Sequence, residues 1–281
     1  MTSAMSNDDT SIAAAFDAWL ADRCAPAVVR ALEGGAPAEP WWRELEAAGW
    51  LDALVPEREG GAGLPLADVR ALVEACGYHA VPLPVADTLV ARATLARRGR
   101  ERARGPLRLA DLGTDVLDAE ARVTWQAALT SALIAGAAGR VLELSVAHAQ
   151  QRVQFGRPIG NFQAVQHQLA VMAEHVAAAR IAAQLAFAAR GDEPDAVLAA
   201  MAKSVAGEAA SAVAAGGHAV HGAIGITAEC DLQLYTRRLV AWRTEGGSPS
   251  HAARRVGDAW WSGRTDRAID FMLARLSAAG L

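Results

Sequence analysis

Several residue types are scarce in this chain, and each shortage narrows what the protein can be. Only 5% of its 281 residues are aromatic, and β-branched residues seldom alternate with polar ones, so a large β-sheet is not expected. Lysine occurs once, as Lys203, and the formal net charge of −4 argues against a general nucleic-acid binder. The three cysteines, Cys24, Cys76 and Cys230, suit neither a disulfide framework nor a metal cluster. We therefore expect a reduced, cytoplasmic protein without a metal site.

The sequence also shows no signal for export and no pattern typical of a membrane span. Residues 1–10 contain acids and no basic stretch, so we do not expect them to act as a signal or transit peptide. The most apolar run, residues 127–139, is followed by Arg140 and Glu143 before it could cross a bilayer. We expect no membrane span.

What the sequence does contain favours helices. Apolar residues make up 52% of the chain, and alanine and leucine, which are strong helix formers, dominate among them. We predict an all-α fold with an N-terminal helical domain at residues 1–98 and a C-terminal antiparallel helical bundle at residues 121–281. A short linker, residues 99–120, is expected between them.

Capping and breaking residues set the expected helix boundaries. The expected N-terminal helices run from Ile12 to about Cys24, from Pro26 to Leu32, from Pro40 onwards, from Leu66 to Cys76 and from Val85 to Arg97. In the bundle, two long helices meet after Arg152, and Asn161 is expected to cap the second. Of the remaining expected helices, one starts at Pro194 and stops at Gly216–Gly217, and one starts at Cys230 or Asp231 and ends at Leu239. The last covers residues 250–276.

The segment Arg152–His167 is the most informative part of the chain. Gly156 and Pro158 cannot comfortably continue a helix, so we predict an ordered hairpin between the two long helices. Arg152 and Arg157 would then hold guanidinium groups beside a helix N-terminus, which suits an anion. A charged, solvated turn with no ligand is the alternative interpretation.

The same segment resembles the flavin-contacting turn of the acyl-CoA dehydrogenase family. The family pattern is Arg-x-x-Phe-Gly-x-x-Ile-x-x-Phe-Gln. The matching positions in this chain are Arg152, Phe155, Gly156, Ile159, Phe162 and Gln163. The resemblance implies contacts with the pyrophosphate and adenosine end of FAD, in this family usually an FAD bound mainly by a neighbouring subunit. The implied cofactor-binding residues are Arg152, Gln154, Phe155, Ile159, Phe162 and Gln163.

Two glycine-rich turns extend the resemblance to both ends of the chain. Residues 56–63 carry the family's Pro-Glu-x-x-Gly-Gly-x-Gly loop. Residues Gly222 and Gly225 are similar to a family turn that also contacts the FAD adenosine. That turn departs from the family at Ala223, where a glycine is usual, and at Ala219, where many members have a glutamine.

The candidate catalytic residue is Glu245. Its surroundings, Glu-Gly-Gly-Ser, resemble the Glu-Gly-Thr-Ser segment in which many acyl-CoA dehydrogenases place their catalytic glutamate. A carboxylate in a dry pocket would take the α-proton of a thioester while the flavin takes the β-hydride. The alternative is a solvent-facing glutamate that pairs with Arg237, Arg238 or Arg243.

The resemblance fails between Gly99 and Asp118. Family members have a complete antiparallel β-domain here, which grips the flavin ring, whereas these twenty or so residues allow at most strand fragments near residues 107–109 and 116. The resemblance then implies a subunit of a heteromeric, FAD-dependent acyl-CoA dehydrogenase, or a homodimer, whose FAD is shared with a partner. A full-length partner could hold the flavin ring and also supply the base. A non-catalytic scaffold or regulatory subunit is the alternative.

Tryptophans and histidines have a simpler expected role. The pairs Trp41–Trp42 and Trp260–Trp261 are expected in packing or at an interface. The histidines at 148, 167, 218 and 221 show no metal-ligand spacing, so we expect them to be structural.

Overall fold

The computed structural model describes residues 7–189, 191–263 and 267–279, and it confirms an all-α fold. The helices of the N-terminal half are α1 (Asn7–Arg23), α2 (Pro26–Glu33), α3 (Glu39–Ala47), α4 (Leu66–Tyr78) and α5 (Val85–Arg97). Those of the C-terminal half are α6 (Ala119–Gln151), α7 (Gln163–Ala186), α8 (Ala196–His221), α9 (Leu232–Thr244), α10 (Pro249–Ser262) and α11 (Ala268–Ala279). Two short strands, β1 (Val153–Gln154) and β2 (Arg157–Pro158), form the one sheet in the described ranges.

An aromatic cluster joins α1 to α3 and to the turn that follows α3. The ring of Phe16 lies 5.1 Å from that of Trp50, and the ring of Trp19 lies 5.4 Å from that of Trp41. The indole N–H of Trp41 donates to the carbonyl of Arg23 at the end of α1. Trp41 is therefore a packing residue, as the sequence predicts.

The N-terminal helices and the bundle meet where α4 crosses α6. A Cβ at Gly136 of α6 would lie 1.9 Å from the carbonyl oxygen of Glu74, and one at Gly77 of α4 would lie 2.1 Å from that of Leu133. The two backbones therefore touch, which only glycine allows. The buried core runs without interruption across this crossing. The domain boundaries at residues 98 and 121 stay a prediction.

The segment between α5 and α6 is tied to the helices and contains no strand. The Thr88 hydroxyl donates to the carbonyl of Leu107 and accepts from its N–H, and the N–H of Gly105 donates to Glu46. Residues Leu109–Asp111 form a 3-10 turn, with Leu109 fully buried. The sequence allows at most strand fragments near residues 107–109 and 116, and none forms there, because the Thr88 side chain satisfies the backbone of Leu107 and the N–H of Val116 donates to the carbonyl of Gly113.

The predicted stop at Gly216 and Gly217 is also wrong, since α8 continues to His221. A Cβ at Gly216 would lie 2.7 Å from Met172 of α7, and a Cβ at Gly217 would lie 2.8 Å from Val141 of α6. The glycines permit close packing of three helices instead of ending one.

Smaller corrections concern helix ends. Helix α7 begins at Gln163 with Phe162 as its N-cap, so Asn161 belongs to the preceding 3-10 turn and does not cap. Helix α8 begins two residues after Pro194, because Asp195 accepts the first free N–H groups. The predicted last helix is two helices, α10 and α11, and residues 264–266 between them lie outside the described residues.

Three helices, α6, α7 and α8, are long and apolar enough to cross a membrane by length and composition. In this fold the most apolar 18-residue stretch is 72% buried in α6 and 61% buried in α8, but only 33% buried in α7. Much of the apolar stretch of α7 is therefore exposed on the surface of the protein. The absence of a membrane span stays a prediction.

Candidate functional site

The predicted hairpin is present between α6 and α7. Strands β1 and β2 pair antiparallel, with Gln154 opposite Arg157, and the two residues between them both have positive φ, +53° at Phe155 and +79° at Gly156. This is the backbone of a type I′ turn, in which asparagine or glycine is usual at the first position. A left-handed conformation costs a residue such as phenylalanine about 1–2 kcal/mol. The Phe155 side chain is nevertheless 91% exposed.

Two guanidinium groups flank the hairpin. Arg152 is the C-cap of α6, where its N–H donates to His148 and its carbonyl accepts from Ile159, both at 2.8 Å. The guanidinium of Arg157 lies 4.2 Å from the centre of the Phe162 ring. Neither arginine has an acidic partner among the residues that the structure describes. Both charges are therefore available to an anion.

The start of α7 faces the same hairpin. Phe162 caps this helix without any side-chain hydrogen bond to the first turn, and Gln163 is exposed. The Gln166 amide donates to the Gly160 carbonyl at 2.9 Å, which fixes the approach to the helix. The first N–H groups of α7 therefore add to the positive potential at Arg152 and Arg157.

A pair of histidines joins this hairpin to the second glycine turn. The rings of His148 and His221 are stacked with centroids 4.4 Å apart. Burial lowers the pKa of both rings, and the charge of Arg152 further lowers that of His148. Gly222 follows directly with φ +63°, and Gly225 is buried against His221 and Leu232. The two histidine rings therefore pack against each other, a contact that no local sequence pattern indicates.

Glu245 lies apart from these residues, at the rim of a cavity of about 300 Å³. It is an exposed residue that follows α9, and its N–H donates to the carbonyl of Ala241. None of the cofactor-binding residues predicted from the sequence lines this cavity. The lining residues come from the segment before α5, from α5, α6 and α9, and from the linker: Val81, Pro82, Leu83, Pro84, Ala86, Asp87, Arg108, Gln126, Leu129, Thr130, Leu133, Arg238, Trp242 and Glu245, with Glu33 and Cys76.

The alternative interpretation, in which Glu245 pairs with Arg237, Arg238 or Arg243, is not found in the described part of the chain. Arg237 and Arg238 instead both bind Glu33, at 2.6 and 2.9 Å. The linker residue Arg108 lines the cavity, so the linker forms part of its wall. No group of three or more metal-binding side chains occurs within the described ranges.

Two ionisable residues near Glu245 were missed by sequence reasoning. Burial, followed by the charge of Glu245, raises the pKa of Asp87 to about 7, while Arg108 opposes the shift. Burial lowers the pKa of Lys203 to about 8, and Glu245 opposes that shift. Asp87 looked like an ordinary first-turn acid of a helix. The single lysine, within an apolar helix, was the signal that could have been followed.

Lys203 is also a structural link to the loop of Glu245. It is 1% exposed, and its ammonium group donates to the hydroxyl of Thr130 at 3.0 Å and to the carbonyl of Trp242. Trp242 lies in the last turn of α9, three residues before Glu245. The ammonium group thereby caps the C-terminal end of that helix, a favourable place for a positive charge.

Two known protein-family models match this chain. Residues 6–105 match the model of the acyl-CoA dehydrogenase N-terminal domain, and residues 116–259 match that of the acyl-CoA dehydrogenase C-terminal domain. The gap between the two matches falls in the linker that lacks a sheet.

Two curated relatives carry the name acyl-CoA dehydrogenase IpdE2. The one from Mycolicibacterium smegmatis is 33% identical over 275 residues, covering 76% of this chain and 86% of the relative. The one from Mycobacterium tuberculosis is 32% identical over 302 residues, covering 86% of this chain and 94% of the relative.

Solved structures share the fold at lower identity. A variant of the Tcur3481-Tcur3483 steroid ACAD has a TM-score of 0.80 and 23% identity, covering 91% of this chain and 98% of the other. The ChsE4-ChsE5 complex from Mycobacterium tuberculosis has a TM-score of 0.80 and 20% identity, covering 95% of this chain and 100% of the other.

Proposed function

The chain belongs to the acyl-CoA dehydrogenase family, and from this premise we propose that it is one subunit of a heteromeric, FAD-dependent acyl-CoA dehydrogenase. In this proposal a full-length partner binds the flavin ring, and this chain closes the adenosine and pyrophosphate end of the same FAD. The reaction is the α,β-dehydrogenation of an acyl-CoA thioester in lipid or steroid metabolism.

One observation carries the proposal: the turn that begins at Arg152 keeps the whole family pattern and is exposed, whereas the described linker between α5 and α6 forms no sheet that could hold a flavin ring. Arg152 and Arg157 lie on the surface without acidic partners among the described residues. The link from α5 to α6 is a short segment tied to Thr88 and Glu46. A site that is only half present in one chain is expected to be completed by another.

The residues of the turn fit the part of FAD that the proposal assigns to them. Arg152 and Arg157 offer guanidinium groups to a diphosphate, and the first turn of α7 adds N–H groups. Gly222 has open space around its Cβ position, so a nucleotide can approach its backbone. When bound, the flavin supplies the hydride acceptor.

The chain's own contribution to the chemistry would come from Glu245. Its carboxylate lies at the rim of the cavity, where it can reach the α-carbon of a thioester and take a proton. Lys203 holds the end of α9 in place just before it. Gly246 and Gly247, with φ of +72° and +118°, form the turn that brings Glu245 to this position.

The similar structures support a partner. Two structures with this fold bear the names of chain pairs, ChsE4-ChsE5 and Tcur3481-Tcur3483, and the second is a steroid ACAD. The exposed apolar face of α7, with Val171 and Ile181 about half exposed, supplies a surface for such a partner.

A second candidate is a non-catalytic scaffold or regulatory subunit that uses the same surface. Ala223 and Ala219 favour it, because both replace residues that would help hold a nucleotide. In that case the partner would carry out the reaction without Glu245.

Co-expression tests the proposal. The chain would be purified alone and together with a candidate full-length acyl-CoA dehydrogenase from the same organism, and flavin would be measured by absorbance. We expect a colourless isolated chain and a yellow complex that oxidises acyl-CoA. Stoichiometric flavin and turnover in the isolated chain would refute the sharing of FAD. A complex that stays active without Glu245 would favour the scaffold.

A further inference from the structure

The cavity beside Glu245 contains an acid that no described residue binds. Asp87 is the third residue of α5, and its half-buried side chain lines the cavity without a hydrogen bond or ion pair to the described residues. Glu33, another acid of the wall, is by contrast bound by Arg237 and Arg238. The Asp87 carboxyl therefore has unused hydrogen-bonding capacity directed at the cavity.

The rest of the wall combines hydrocarbon with fixed charge. Leu129, Leu133 and Trp242 provide apolar surface. The charged groups of the wall are of both signs, since Arg238 is paired with Glu33 and Arg108 lies near Asp87 and Glu245. A neutral ligand that is mainly hydrocarbon but carries a polar group near Asp87 would suit both parts of the wall.

The protonation of Asp87 indicates the kind of polar group. Burial and the nearby Glu245 raise the pKa of Asp87 to about 7, so protonated and ionised forms coexist near neutral pH. A protonated carboxyl both donates and accepts hydrogen bonds, whereas an ionised one only accepts. A hydroxyl can pair with both forms, and a keto oxygen can pair with the protonated form.

We propose that the cavity takes an acyl group that carries a hydroxyl or keto oxygen, and that Asp87 is the residue that recognises this oxygen. That the ligand is an acyl group rests on the proposed function, with the thioester end near Glu245 and the oxygen towards Asp87. A plain hydrocarbon chain would remove water from Asp87 without replacing its hydrogen bonds, so the site selects against it.

Binding of matched thioesters to the full chain tests this specificity. Titration calorimetry would compare hexanoyl-CoA with 6-hydroxyhexanoyl-CoA, and the measurement would be repeated with butanoyl and octanoyl pairs because the depth of the site sets the best length. We expect the hydroxylated member of at least one pair to bind about tenfold more tightly or better.

Three variants test whether Asp87 causes the preference for the hydroxylated thioester. Asp87→Leu should abolish or reverse it, and Asp87→Asn, which keeps two hydrogen-bonding groups, should keep most of it. Asp68→Asn is the matched control, because Asp68 is the third residue of α4 but lies outside the cavity. Should Asp87→Leu fail to fold, the wild-type comparison and Asp87→Asn still decide the matter.

The outcomes separate this inference from the proposed function. Equal binding within every pair, no binding of any thioester, or an unchanged preference in Asp87→Leu would overturn the assignment of Asp87. A yellow, active complex without a preference would overturn the inference alone. A clear preference in a chain that forms no flavin-containing complex would leave the inference standing and reject the shared FAD.

Discussion

The imidazole of His148 is stacked on that of His221, with ring planes 22° apart, so the ends of α6 and α8 are joined directly beside Arg152. Because the pKa of each ring is lowered, the pair carries little charge at neutral pH. The positive potential at the turn then comes from the guanidinium groups of Arg152 and Arg157 and from the start of α7.

Replacing Arg152 should weaken flavin binding in the co-expressed complex. Loss of a charge-assisted contact to a diphosphate costs about 1.5–3 kcal/mol, which is about one to two decades in affinity. Flavin retained after dilution and dialysis would be measured for Arg152→Ala. The control is Arg254→Ala, another exposed arginine, on α10. Equal flavin retention in the two variants would show that Arg152 does not contact the cofactor.

Glu245→Gln separates the base from the cofactor site. The variant keeps the size of the side chain but cannot take a proton, so we expect turnover of the complex to fall by about two to four decades. Flavin content should be unchanged, because Glu245 lies away from the hairpin. Single-turnover reduction of the flavin by acyl-CoA is the measurement. A nearly silent substitution would assign the base to the partner.

Asp87 should make the stability of the isolated chain fall as pH rises. Its pKa is raised from 3.8 in the unfolded chain to about 7 in the fold, so the folded state holds the extra proton between these values. The contribution of Asp87 is most favourable below about pH 4 and is lost as pH approaches 7. Asp87→Asn should raise the free energy of unfolding at pH 7.5 by a few kcal/mol and flatten this pH dependence. Urea unfolding at pH 5 and 7.5 would measure the free energy of unfolding of both proteins, with Asp68→Asn as the control variant.

Gly136→Ala should destabilise the crossing of α4 and α6. The new methyl group would lie 1.9 Å from the Glu74 carbonyl, so the helices must separate, at a cost of about 1–3 kcal/mol or more. Gly257→Ala is the control, since Gly257 is also within a helix but has open space around it and should gain stability. Urea midpoints that shift equally for both variants would contradict the close approach.

Phe155→Asn should have opposite effects on stability and assembly. Asparagine followed by glycine is a preferred type I′ pair, so the isolated chain should gain about 1 kcal/mol. Assembly with the partner should weaken, because the exposed phenylalanine ring is lost. Urea unfolding and analytical ultracentrifugation measure the two effects. Unchanged association would exclude Phe155 from the interface, and a monomer in the presence of the partner would reject the interface itself.

Local signals in the sequence were enough for much of the fold. Helix α5 has the predicted limits, Val85–Arg97, because its flanking proline and glycine act locally. The hairpin at Phe155 and Gly156 was predicted for the same reason. Gly216 and Gly217 were misinterpreted, since a glycine that ends a helix and one that allows another helix to approach look alike until the neighbours are known.

The candidate site was predicted only where it resembles a motif. The turn at Arg152 and the glutamate at 245 follow such patterns, whereas Asp87 becomes notable through burial and the approach of Glu245 across 158 positions of sequence. Arg108 reaches the wall of the cavity because the linker folds back on α5, where the N–H of Leu107 donates to Thr88. No local pattern reports these distances.

The burial of Lys203 has a practical consequence for mapping the complex. It is the single lysine of the chain and is 1% exposed, so the folded protein offers no accessible lysine amine. Reagents that couple lysines will modify the partner but leave this chain almost untouched except at its amino terminus. Cross-links between the two chains must therefore be sought with chemistry directed at carboxylates or guanidinium groups, of which this surface has many.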